Sequence, residues 1–287
     1  MVIKSIRMRI DGEECEEYHV LGERVNVIGT RWSDELAAAI AAVTNGGEGA
    51  LPSRREGQRI SAVAEVEAGG REYTVRAEIS GEGLRLTASQ PSGEDATAEY
   101  GYLTAHSKEE NRCDGFNGDD AEDAPRLLKY TAEDRFFACG ELENLTRGAA
   151  KLAFFRKVLR SFIRALAPEV IREGKRYELV TLADGEFAVR VRDGDYPVLL
   201  SEAEDRIFRY LCFLRTAEFW QEFEGMRNIH AVRKPLVIRG LLERLDEETS
   251  LTDIVKRTVA LERQAIFITL PNDTKHIEEI KELSTVF

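Results

Sequence analysis

The sequence predicts a mixed α/β protein with a parallel sheet, an antiparallel β section and an inserted helical subdomain. Three observations predict it. A strand, a loop opened by glycine and a capped helix follow one another over residues 24–45. Residues 59–105 read as short alternating strands broken by glycine turns. The last ninety or so residues alternate helices with fully apolar strands, the pattern of a parallel sheet covered on both faces.

The elements follow in order. Ile6, Met8 and Ile10 alternate with Arg7 and Arg9, and Asp11-Gly12 supplies a turn. Tyr18–Leu21 and Arg24–Ile28 are two more short strands. Gly29-Thr30-Arg31-Trp32 breaks that pattern, and a helix follows from Ser33 to about Thr44. Ser33 reads as its N-cap, Asp34 and Glu35 suit the positive end of its dipole, and Asn45-Gly46-Gly47 stops it. Ile60–Glu67, Glu72–Ile79 and Leu84–Ala88 are strands, with Ala98–Ala105 as another. Residues 106–124 hold seven acidic side chains and read as a solvated loop. Residues 131–167 are helical, and Pro168 ends the run. Arg176–Leu182 and Glu186–Arg192 form a hairpin across Asp184-Gly185. A long helix runs from Ser201 to about Glu224, then strand Pro235–Ile238, helix Asp253–Glu262, strand Ala265–Thr269 and helix His276–Leu283. These group as an N-terminal lobe over 1–105, a middle part over 106–197 and a C-terminal α/β lobe over 198–287.

Composition narrows the function classes. The chain has 287 residues, 43% of them hydrophobic, enough for a substantial core. Charges interrupt every apolar run before the roughly 20 residues of a membrane span, and no signal-peptide stretch opens the chain. Cys15, Cys113, Cys139 and Cys212 are scattered without a C-x-x-C pair, which points to a reducing cytoplasm. The four histidines lack ligand spacing, so no metal site is expected. The net charge of −12 opposes broad nucleic-acid binding by the whole surface. It is an average over unlike parts, because residues 151–176 carry eight basic and two acidic side chains. Arg156, Arg160 and Arg164 form an i, i+4, i+8 stripe beside Lys157. That stripe is either a solvated face, paired within the molecule, or a dock for nucleic acid or another anionic partner.

Strand, glycine-opened loop and capped helix at 24–45 is the context of a P-loop. Later come Leu200-Ser201-Glu202-Ala203-Glu204 opening a helix, strand 235–238, Leu245-Asp246, and Gln264–Thr269. In this order the chain resembles the ABC-type ATPase heads of the RecF and SMC-like group. The resemblance implies a P-loop NTPase-like, ABC-head-like mixed sheet. It places a Walker A loop at Gly29–Glu35, a signature-like segment at Leu200, Ser201 and Glu204, a Walker B end at Arg239 and Gly240, and a D-loop at Leu245 and Asp246.

The residues at those positions depart from the working pattern. A phosphate loop needs glycines to expose backbone N–H groups, a Lys for the β/γ-phosphates and Ser/Thr for Mg²⁺. Here Gly29-Thr30-Arg31-Trp32-Ser33-Asp34-Glu35 lacks the Gly-Lys-Ser/Thr core, and two acids stand where a triphosphate would lie. Arg239 and Gly240 cannot replace the adjacent carboxylates of a Walker B strand, and the switch-histidine position falls on Leu270. Locally, Gly29–Leu36 reads as a filled strand-to-helix turn with Trp32 packing on the strand ends, and Ser201 with Glu204 as a capping box. The resemblance and these departures together imply a catalytically degenerate ABC-ATPase-like scaffold or regulatory partner, linked to DNA maintenance or defence. No cofactor is expected, nor ATP hydrolysis by the usual route. Its partners would be a second copy or another protein, with nucleic acid as a further candidate. Two alternatives stay open: a nucleic-acid-linked ATPase with a noncanonical or partner-completed site, and an interaction protein unrelated to ATPases.

Overall fold

The computed structural model describes residues 1–11, 15–45, 59–81, 83–105, 115–117, 175–181, 187–193, 196–198, 210, 214, 232–245 and 251–286. Contacts divide the chain into two compact units. The first comprises Met1–Phe116, Gln221–Glu243 and Thr249–Phe287, and the second Asn117–Trp220 and Arg244–Glu248.

The first unit is built on two sheets. The larger has five antiparallel strands in the order β2-β1-β4-β5-β6. They are β1 (Val2–Ile10), β2 (Cys15–Val20), β4 (Ile60–Ala68), β5 (Arg71–Ser80) and β6 (Gly83–Ser89). Alternation decides their faces: Ile60, Ala62, Ala64, Val66 and Ala68 are buried on β4, whereas Val63 and Glu65 are exposed. Gly69 (φ 59°) and Gly70 (φ 75°) join β4 to β5 in a two-residue turn. Positive φ at both positions is what such a hairpin requires, and glycine meets it without strain.

The smaller sheet runs β3-β12-β11-β7. β3 (Val25–Gly29), β12 (Ala265–Thr269) and β11 (Leu236–Arg239) are parallel, with Gly29 opposite Thr269 and Ile268 opposite Arg239. Every residue of β12 is buried, as expected for a strand covered on both faces. β7 (Gly115–Asn117) corrects the reading of 106–124 as loop throughout.

Helix α1 (Ser33–Asn45) packs on β4, β5 and β1 of one sheet and on β11 of the other. Its Leu36, Ala38, Ala39, Ile40, Ala42 and Val43 are buried, and the small alanines allow the close approach. α2 is Thr97–Ala105, so the expected strand at Ala98–Ala105 is a helix. Ala96, Tyr100 and Thr104 are the buried positions there, while Ala98 and Tyr102, which a strand would place on the same face, are exposed. Asp95 leads into it, accepting from the Thr97 amide at 3.0 Å, and the Ala96 carbonyl takes its first bond, from the Tyr100 amide. Tyr100 stands edge-on to Tyr73, with centroids 5.2 Å apart, and its hydroxyl donates to the Val43 carbonyl at 2.8 Å. Helices α3 (Leu251–Ala260) and α4 (Thr274–Val286) cover β3.

The second unit contains a three-stranded antiparallel sheet, β10-β9-β8. β8 (Lys175–Thr181) and β9 (Phe187–Asp193) form the hairpin read from Asp184-Gly185, and β10 (Tyr196–Val198) extends it. Tyr210 and Leu214 are buried helical residues, in keeping with the helix read from Ser201. The rest of that helix, and the helical stretch 131–167, lie outside the described residues.

Candidate functional site

The carboxyl ends of β3, β12 and β11 line up at Gly29, Thr269 and Arg239. In open parallel sheets ligands bind outside this edge, so it is the place to ask what the chain can do.

The connection from β3 to α1 is Thr30-Arg31-Trp32. A P-loop has four residues between its first and second glycines, so this turn is shorter than the motif's cradle. Its polar groups bond within the protein. The Thr30 amide donates to the Thr269 carbonyl at 2.9 Å. The buried Thr30 hydroxyl donates to Glu17 Oε1 at 2.7 Å and accepts from the Trp32 amide at 2.9 Å. The Leu36 amide donates to the Trp32 carbonyl, which makes Trp32 the residue at the cap and Ser33 the first of the helix. The expectation of Ser33 as N-cap is corrected accordingly.

Trp32 is half-buried against the core, as the sequence suggested, and the Arg31 guanidinium lies 5.1 Å from its ring centroid. A methyl group on Gly29 would stand 2.8 Å from Ile277 Cδ1 and 3.1 Å from Pro271 Cα. Glycine is therefore favoured at this position by the close approach of Pro271 in the β12–α4 turn and of Ile277 on α4, whatever the loop binds.

Asp34 and Arg239 meet. The guanidinium of Arg239, at the end of β11, is ion-paired to the Asp34 carboxylate in the first turn of α1. Arg239 is largely buried there, while Asp34 is mostly exposed. Gly240 follows with φ 62°, in the left-handed region that favours glycine, and turns the chain into a short 3-10 helix at Leu242–Arg244. Leu245 is half-buried. Asp246, the signature-like Leu200, Ser201 and Glu204, and the basic Arg156, Lys157, Arg160 and Arg164 lie outside the described residues.

Two polar relays flank the turn that sequence reasoning did not single out. In the first, Glu17 accepts from Thr30 and contacts His19 Nε2 at 3.1 Å. In the second, the Thr269 hydroxyl donates to Asp273 Oδ2 at 2.9 Å, and Asp273 Oδ1 lies 2.7 Å from His276 Nδ1. The Asp-x-x-His spacing at the start of α4 is a visible sequence signal for the second. Nothing in sequence ties Glu17 to Thr30, since that contact depends on how β2 sits beside the turn. In each relay the carboxylate lies between hydroxyl and imidazole, so neither is a hydroxyl–imidazole–acid nucleophile arrangement.

No protein-family model matches the chain, and no curated protein matches it. Solved structures do. An SMC head bound to the C-terminal winged-helix domain of ScpA is 14% identical, with a TM-score of 0.57 over 96% of this chain and 92% of that one. The Smc head with an extended coiled coil from Pyrococcus furiosus, bound to the C-terminal domain of ScpA, is 13% identical, with a TM-score of 0.50 over 96% and 91%. RecF with ATP gives 13% identity and a lower TM-score of 0.48, over 93% of each chain. With the parallel core β3-β12-β11 beside an antiparallel sheet, the chain has the P-loop, ABC-type ATPase head fold of the SMC-like group.

Proposed function

We propose that this chain is an ABC-ATPase-like protein that does not hydrolyse ATP by the usual route and works as a scaffold or regulatory partner. The ion pair between Asp34 and Arg239 carries the reading. In a working P-loop site, a hydroxyl from the loop and an acid on the Walker B strand hold the same Mg²⁺. Here an acid stands on the helix side and a cation on the strand side, and they neutralise one another directly. The protein itself supplies the cross-link that Mg²⁺ and nucleotide would otherwise make.

Further observations support it. The turn is short, its Thr30 and Trp32 amides already have protein acceptors, and the motif lysine is lacking. Gly240 has a left-handed backbone, so a side chain bearing a carboxylate would be strained there. Calorimetry of ATP and of ATPγS with Mg²⁺ tests the proposal. No saturable binding is expected. Tight Mg²⁺-dependent binding that is lost on changing Gly29 or Ser33 overturns it, and would favour a site completed by a partner.

The role as a partner rests on likeness. Two of the similar SMC heads are described in complex with ScpA domains. By that likeness this chain would act bound to a second copy or another protein, in the cytoplasm and in DNA maintenance or defence. The Arg156, Lys157, Arg160 and Arg164 stripe is the candidate for a nucleic-acid contact. Reversing its arginines to glutamate tests it: DNA binding at low salt should weaken, and no binding before the change removes the idea.

A further inference from the structure

Two sheet edges converge on one cleft. β2 ends the five-stranded sheet and β3 ends the four-stranded one. Where they diverge lies a cleft of about 320 Å³, walled by Tyr18 and Val20 of β2, Val27 of β3, and Ile280, Lys281 and Ser284 of α4. All of these residues belong to the first unit.

The ladders decide which backbone groups face it. The Ala265 amide donates to the Arg24 carbonyl, and the Thr30 amide to the Thr269 carbonyl. Every second residue of a strand turns its N–H and C=O to the same neighbour. Asn26 and Ile28 therefore bond to β12, while the N–H and C=O of Val25 and Val27 point to the side where no strand pairs among the described residues. On β2 the Leu21 amide donates to the Lys4 carbonyl, which directs the backbone groups of Tyr18 and Val20 to its free edge.

Natural edge strands are usually shielded by charge, proline or a bulge. Here β2 carries Glu16, Glu17 and His19 along its length, but its end at the cleft exposes Tyr18 (56%) and Val20 (75%). Alternating backbone donors and acceptors match an extended polypeptide, whose main chain repeats at the same spacing. A phosphate backbone offers no such donors. Charge selects further. Lys281, an exposed residue with no ion-pair partner among the described residues, is one of those lining the cleft.

We infer that this cleft is a docking site for an extended segment of a partner protein, added as a strand to β3, with apolar side chains beside Tyr18 and Val20 and a carboxylate near Lys281. The inference is independent of whether nucleotide binds at the opposite end of β3.

The experiment uses the full chain and a fluorescein-labelled eight-residue peptide of alternating valine and threonine with one central aspartate. Three comparisons are made by anisotropy. Methylating alternate backbone nitrogens of the peptide should weaken binding at least tenfold, because the strand's donors are lost while its side chains remain. Lys281→Glu should weaken it at least tenfold, and a peptide with lysine in place of aspartate should recover that loss. Ser284→Trp, which fills the cleft, should also abolish binding. Recovery by the swapped peptide shows that the Lys281 variant is folded. Absence of saturable binding to the unaltered chain overturns the inference, as does equal affinity of the methylated peptide or failure of the charge swap. Sedimentation showing that the peptide only competes with self-association of the chain also overturns it, and assigns the cleft to a second copy.

Discussion

Arg239 and Asp34 form an ion pair although they lie 205 positions apart in sequence. One ends the strand that in an ATPase head would carry acids, and the other opens the helix that would follow a phosphate loop. A charge-reversed pair at these two positions joins the same two elements without a metal.

Reversing either charge should cost about 0.5–1 kcal/mol, the range of a partly exposed ion pair. Asp34→Arg alone should cost the most, since it also sets a cation at the positive end of α1. The double change Asp34→Arg with Arg239→Asp should recover part of the loss. Urea denaturation of the four proteins measures the coupling. Additive single effects would mean the pair contributes nothing.

Gln264 should be a strong stability determinant. Its side-chain amide accepts from the Ile3 amide at 2.9 Å, donates to the Ile3 carbonyl at 2.8 Å and donates to the Gly22 carbonyl at 2.7 Å. It is buried and ties the first strand of one sheet to the last parallel strand of the other. Gln264→Ala removes the side-chain partners of the Ile3 amide and carbonyl, while the Gly22 carbonyl keeps the Asn26 side-chain amide at 2.9 Å, and about 2–4 kcal/mol of destabilisation is expected. A loss under 0.5 kcal/mol in denaturant unfolding would contradict this assignment.

Gly29→Ala should destabilise by about 1–3 kcal/mol through overpacking against the β12–α4 turn. Ile277→Ala in the same chain should relieve the contact with the isoleucine tip but not that with the Pro271 backbone, so recovery is partial. Differential scanning of the single and double variants checks it. Full recovery would show that Pro271 imposes no limit.

Acid should weaken one edge of the large sheet. The Tyr73 hydroxyl, 2.7 Å away, holds the Glu99 carboxyl below its usual range, helped by Arg71. The hydroxyl and amide of Thr97 hold Asp95 below its range. Both carboxyls bind protons more weakly folded than unfolded, so their contribution is complete above their ordinary values and fades as pH falls through the lowered ones. The stability gap between the unaltered chain and Tyr73→Phe should therefore narrow below about pH 4. Denaturant midpoints from neutral to acid pH test this, and a pH-independent gap would refute it.

Local sequence determined most elements. Period-two alternation in β1, β4 and β5, glycine at the 69–70 turn, and wholly apolar strands at 236–239 and 265–269 report burial directly, because each depends only on neighbours a few positions away. The departures at Gly29–Glu35, Arg239 and Gly240 are equally local, since a missing lysine or carboxylate is visible in the letters themselves. Ala98–Ala105 misled because a short apolar run suits either element, and only the burial of Ala96, Tyr100 and Thr104 with Ala98 and Tyr102 exposed reveals the helix.

Tertiary structure alone decided the pairings. Asp34 reads as a helix-dipole residue and Arg239 as a strand end. Their union follows from strand order, which sets β11 against α1. Gln264 looks like an ordinary polar residue before a strand, yet it meets Ile3 across 261 positions. The cleft at β3 exists because two sheets end side by side, and no periodicity encodes which strand lies last. Side-chain partners across such distances are set by the crossover connections of the fold, and so appear only once the chain has closed on itself.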